Sequence, residues 1–112
     1  MYDIIKKALL QKVERLEAFE ERLNVRLENI SIVVNNQSYF DIFCEIHPIS
    51  GTAVNGTIFI YCVIYDKEGS ILENTYLTIN EESFFGFEVL HFIIFDNVVI
   101  EDIGKIRIYP KR

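Results

Sequence analysis

The sequence contains no tryptophan, a single methionine, two prolines and two cysteines, and only two histidines. Two cysteines cannot frame a disulfide-dense scaffold, and Cys44 and Cys62 form no Cys-x-x-Cys pair of the kind zinc sites and redox centres use. Both lie in apolar sequence and are expected to be buried free thiols. His47 and His91 fall on separate predicted strands, with no third ligand at metal-binding spacing, so no metal is expected. Cys44 and His47 are close in sequence, but their odd offset sends the two side chains to opposite faces of a strand.

Positive charge is scarce as well: 11 Lys and Arg stand against 17 Asp and Glu, for a formal charge of -6. Partners held through phosphates need clustered cations, so nucleic acid and anionic membranes are excluded as expectations. Lys105, Arg107, Lys111 and Arg112 form a basic cluster that reads as a solvated strand face and tail. Glycine-rich phosphate loops are missing, since Gly86 and Gly104 stand alone and Gly51 and Gly56 fit no P-loop. There is no nucleophile elbow, and the adjacent carboxylates Glu101 and Asp102 read as solvated loop residues. A non-enzymatic protein without a cofactor is expected. No apolar run reaches membrane-spanning length, the densest, residues 58–65, ending at Asp66. Asp3, Lys6 and Lys7 interrupt the N-terminal apolar residues, unlike a signal peptide, so a cytoplasmic location is expected and the Asn-x-Ser/Thr matches at Asn29, Asn36 and Asn55 carry no weight.

What is present is a strong drive to fold: 50% of the 112 residues are hydrophobic and 13% aromatic, enough for one domain around one core. In residues 2–23, Ile5, Leu9, Val13, Leu16, Phe19 and Leu23 recur at steps of three or four, opposite Lys6, Lys7, Glu14, Arg15, Glu21 and Arg22. That spacing predicts one amphipathic helix about 30 Å long. Beyond Asn24 the period becomes two. Strands are predicted around Ile30, Ile32 and Val34; over residues 40–46, ended by Pro48; over 57–65; over 71–79; over 84–95, with a bulge or close approach at Gly86; and over 105–109, ended by Pro110. Residues 35–38 read as a turn, as do Asp66 to Gly69, where Gly69 supplies a positive φ. Asp96 and Asn97 open a connection whose Val98, Val99 and Ile100 are expected to tuck under the strands. The fold class is mainly β: an antiparallel immunoglobulin-like sandwich of about six to seven strands over residues 25–112, preceded by an N-terminal helix over residues 1–24.

The stretch from Phe59 to Asn74, with Val63-Ile64-Tyr65-Asp66-Lys67-Glu68-Gly69 followed by Ile71-Leu72, resembles the central hairpin of FxLYD-type and related immunoglobulin-like bacterial domains. There an apolar strand ending in Tyr-Asp-x-x-Gly turns into a strand that begins with aliphatic residues. The resemblance covers about a sixth of the chain and implies a β-sandwich used as an accessory or adhesion-like module, with no site residues to carry over.

Function then rests on surplus apolar surface. If Ile58, Ile60, Cys62 and Ile64 line the core, Phe59, Tyr61, Val63 and Tyr65 face the other way, and Phe85, Phe87, Val89, Ile93 and Phe95 repeat the pattern alongside Phe43. The helix stripe of Ile5, Leu9, Leu16, Phe19 and Leu23 is the expected cover for that second face, either within the chain or across a two-fold dimer through the Tyr2, Leu9, Leu16, Leu23 spacing. The expected function is a protein-interaction or self-association module, as a homodimer or with another protein. The alternative is a small apolar ligand held between the sheets near Tyr61, Phe84, Phe87 and His91.

Overall fold

Alternation of side chains sets the strands of the computed structural model, which describes residues 2–35, 39–94 and 98–112. The elements in chain order are α1 (Tyr2–Leu10), β1 (Val13–Arg15), α2 (Glu17–Arg22), β2 (Val25–Val34), β3 (Phe40–Pro48), β4 (Ile58–Asp66), β5 (Ile71–Ile79), β6 (Glu88–Ile94), a 3₁₀ turn at Ile100–Asp102 and β7 (Ile103–Lys111). They build a β-sandwich of a four-stranded sheet in the order β1-β7-β4-β5 against a three-stranded sheet in the order β2-β3-β6. On β3, Phe40, Ile42, Cys44 and Ile46 point inward and are buried, while the residues between them are only half-buried. Ile60, Cys62 and Ile64 of β4, Leu90, Phe92 and Ile94 of β6, and Ile106 and Ile108 of β7 meet them in one core. Each such aliphatic or aromatic side chain contributes about 1.5–3 kcal/mol on burial. Val98 and Ile100 tuck beneath the strands as expected, whereas Val99 is exposed.

The predicted single helix over residues 2–23 is not what forms. The helix breaks after Leu10, β1 follows, and α2 resumes at Glu17. Helix propensity is a weak local preference, and here a tertiary partner overrides it. β1 pairs in parallel with β7, Val13 opposite Ile106 and Arg15 opposite Ile108, and the Ile106 amide donates to the Lys12 carbonyl at 2.9 Å. Lys12 Nζ adds a bond to the Ile103 carbonyl at 2.8 Å. These backbone groups of β7 would otherwise lack partners in a largely buried sheet. The expectation of a purely antiparallel sandwich is corrected by this one parallel pair. The N-terminal segment therefore closes the β2/β7 side of the sandwich, with Leu9 and Leu23 buried in the core.

Other boundaries also move. β2 starts at Val25 and carries a bulge between Glu28 and Ser31, where Asn29 has φ 52°. β6 starts at Glu88, because Gly86 at φ 83° sits in a loop and donates its amide to the Thr52 carbonyl at 2.9 Å. Pro110 does not end β7, which runs on to Lys111 opposite β4. β1 has ended by Ile108, so a residue without an N–H is tolerated at that outer edge. Gly69 has the expected positive φ, 93°, in a turn where Asp66 Oδ1 accepts from the Glu68 and Ser70 amides at 2.9 Å each. The predicted turn residues Asn36, Gln37 and Ser38, together with Phe95, Asp96, Asn97 and the side chain of Tyr2, lie outside the described residues.

Candidate interaction surface

Two outer sheet faces carry most of the aromatic residues singled out by the sequence, and apart from Phe19 of α2 the helices leave both uncovered. On the four-stranded sheet, Phe59, Tyr61 and Tyr65 point away from the core and are half-buried. Their neighbours across the ladder supply the cover. Tyr61 stacks on Tyr109 at 5.6 Å and meets Tyr76 at 5.4 Å; Phe59 meets Tyr76 edge-on at 5.7 Å; and Phe19 of α2 extends the row onto Tyr109 at 5.7 Å. Arg107 lies over the Tyr65 ring at 5.3 Å and is held by Glu14 through a 2.7 Å ion pair. The Arg107 hydrogen bond holds the Glu14 carboxyl below its usual range. Aromatic pairs of this kind add about 0.5–1.5 kcal/mol beyond area burial. These ring contacts leave the β4 aromatics half-buried without a helix laid over them, while Tyr76 on β5 stays 53% exposed.

The three-stranded sheet differs. Its outer face sets Phe43 of β3 against His91 of β6, the rings stacked at 4.3 Å, and His47 against Phe87 at 5.1 Å. Each imidazole is tied to a carboxylate on the same face: His91 to Asp41 at 3.0 Å and His47 to Glu45 at 2.7 Å. Burial pushes the Asp41 carboxyl up, but hydrogen bonds from Asn35 and His91 outweigh it and hold the group below its usual range. Glu45 is lowered by its hydrogen bonds to His47 and Asn29. Around these pairs the apolar side chains stay open to solvent: Phe85 at 81%, Val89 at 61%, Phe87 at 51% and Ile93 at 45%. An open depression of about 480 Å³ lies beside Val89, lined also by Ile30, Phe43 and Glu45.

The candidate interface residues therefore separate. Leu9 and Leu23 are in the core and Ile5 packs against it. Leu16 sits half-buried just before α2. With α1 and α2 separated by a strand, the Leu9, Leu16, Leu23 spacing is no continuous seam, and the helices pack on β2 within their own chain. Phe19, Phe59, Tyr61 and Tyr65 belong to one outer face, Phe43 and Phe87 to the other, and Phe85 to the loop leading into β6. The four residues of the expected apolar-ligand pocket do not converge. Phe84 is buried, whereas Tyr61 and His91 occupy opposite outer faces of the sandwich. Phe84 and Phe92 are buried in the core, while Phe85 and Phe87 are exposed.

Two features escaped the sequence reading. Glu20, not singled out in the sequence, is 2% exposed; it binds Arg15 through both carboxylate oxygens at 3.0 Å and accepts the Leu27 amide at 3.2 Å. The signal was its place between Leu16 and Leu23 on the apolar stripe. Gly104 is the second, the extra residue of a bulge on β7 where a Cβ would stand 2.5 Å from the Asp66 carbonyl oxygen.

Among the described residues no three His, Cys, Asp or Glu side chains gather closely enough to hold a metal ion, and no helix is long and apolar enough to cross a membrane. No family model matches the chain, and no curated protein matches it. A solved structure, described as "Crystal structure of putative beta-galactosidase from bacteroides fragilis", is similar at a TM-score of 0.37 and 12% identity over 65% of this chain. The similar region spans 10% of that protein's length, and at this level the likeness carries no argument.

Proposed function

We propose that the protein is a non-enzymatic interaction module that associates with a second copy of itself. The observation that carries this reading is the row of outward positions 85, 87, 89 and 93, apolar and 45–81% exposed, which continues from the loop onto β6 beside Phe43. A soluble chain rarely leaves contiguous apolar side chains of this size uncovered unless a partner covers them. The strand order supports an immunoglobulin-like sandwich, since β2-β3-β6 facing the β4/β7 pair has the crossed connections of that architecture. Two buried free thiols are in keeping with a reducing cytoplasm. Size-exclusion chromatography with light scattering on the full chain tests the reading. A mass near twice 13.1 kDa at micromolar concentration is expected, and a monomer there would overturn it.

A further inference from the structure

Resting on the self-association reading, we infer that the interface is the open edge of β6, which pairs antiparallel with the β6 of a second copy and joins the two three-stranded sheets into one continuous sheet. A sheet edge exposes unpaired N–H and C=O groups, and folded proteins guard such edges by shortness, bulges, charge or cover. The edges of this sandwich differ in that respect. β1 is 3 residues long. β2 is bulged and lies under α1 and α2. β5 carries a bulge at Leu72, where Glu73 and Ile71 oppose the consecutive residues Ile64 and Tyr65.

β6 is the least guarded of them, its Glu88 at one end and its approach to β5 aside. Its 7 residues keep an unbroken register with β3 from Ile94 opposite Phe40 to Glu88 opposite Ile46. It has no Pro, Lys or Arg, and among the described residues no backbone hydrogen bond reaches its outer edge. Its sequence is also self-complementary. A two-fold axis perpendicular to the sheet keeps inward residues opposite inward ones, and centred on His91 it pairs the full strand with itself. Leu90 then stands opposite Phe92 of the second copy, extending the core layer. Exposed Val89 stands opposite exposed Ile93, twice over, so the two-fold covers both. Glu88 lies at the far ends of the pairing, apart from its own copy. An identical chain is thus an occupant for which the unpaired backbone and the exposed side chains of Val89 and Ile93 find partners, with Glu88 opposite Ile94 at each end and Phe85 and Phe87 outside the pairing.

The pairing places residue 91 opposite itself, with Cα atoms about 4.5–5.5 Å apart, inside the range a disulfide spans. His91→Cys, at an exposed position, should therefore give a covalent dimer under mild oxidation. Val33→Cys, 45% exposed on the same face but on the far strand, should not. The double variant Val89→Lys/Ile93→Lys sets Lys against Lys at both contacts and should weaken self-association about 100-fold or more, with an unchanged circular dichroism spectrum. A wild-type dimer whose His91→Cys form does not cross-link, or whose double lysine variant stays dimeric, would overturn the β6 pairing and leave self-association standing. A wild-type monomer would overturn both.

Discussion

Replacing Glu20 with alanine removes the carboxylate that ties α2 to two strands. Its loss takes the Glu20 oxygen away from the buried Leu27 amide, and an unsatisfied buried donor costs about 1–3 kcal/mol. Arg15 loses both its bonds to the carboxylate, but its side chain is 33% exposed and can turn to water, so this adds only about 0–1 kcal/mol. The vacated methylenes leave a small gap, and the better helix propensity of alanine returns a few tenths. The sum is a loss of about 1–4 kcal/mol, a large share of the roughly 5–15 kcal/mol that holds a domain of this size together.

Glu20→Gln separates the contributions. It keeps the volume and an oxygen for the Leu27 amide, but it removes the charge that Arg15 binds, so a loss of about 1–2 kcal/mol is expected. Urea titrations of wild type, Glu20→Ala, Glu20→Gln and Arg15→Ala give the comparison directly. The alanine variant should lose clearly more than Arg15→Ala, because Arg15→Ala leaves the Leu27 bond intact. Glu20→Ala within 0.5 kcal/mol of wild type, or Arg15→Ala more damaging than it, would refute the reasoning.

Further outcomes follow from other sites. Gly104→Ala places a Cβ 2.5 Å from the Asp66 carbonyl and 2.8 Å from Lys67 Cα, both backbone, so it should cost about 1–3 kcal/mol in a denaturant titration. Gly69→Ala meets no atom within 4 Å and should cost about 1–2 kcal/mol, from its φ of 93° alone. Burial pushes the Cys44 and Cys62 thiols up to about 12, so both should resist alkylation in the native protein at neutral pH and take two labels after unfolding. Asp41 and Glu45 are held below their usual values, so the stability they contribute is complete above the ordinary carboxylate range, about pH 4–5, and falls as pH drops through the lowered folded values. Urea midpoints from pH 2 to pH 6 should show that loss, and Asp41→Asn should flatten it; an unchanged slope would refute the linkage.

What the sequence made legible is what a local period can carry. β3 alternates cleanly, so its inward set of Phe40, Ile42, Cys44 and Ile46 is readable without neighbours. Residues 2–23 show the limit, because two short helices flanking a strand keep the same three-or-four spacing as one long helix. What distinguishes them is the need of β7 for a partner at Ile106 and Ile108, a contact more than ninety residues away in sequence. The two histidine pairs were hidden for a similar reason. His91 is expected from the sequence to line a space between the sheets, and it takes the strand order β2-β3-β6 to put it on the same outer face as Phe43 and His47.

The N-terminal segment also gives the sandwich two unlike sides. On the β1/β2 side, α1 and α2 pack on β2, β1 completes the hydrogen bonds of β7, and Arg15 and Glu20 fasten the segment down. On the β5/β6 side nothing equivalent is present among the described residues, and the outward side chains at Val89 and Ile93 are apolar there. An even spread of weakly guarded edges would promote growth into open aggregates, since each added copy would present another free edge. On the proposed β6 pairing, closing one side and leaving a self-complementary strand on the other would limit association to a single two-fold contact. A variant with Arg15→Ala and Glu20→Ala together, which loosens the closed side, should therefore form species larger than a dimer in light scattering. If it only unfolds to monomer without such species, the segment stabilises the fold and does not guard the edge.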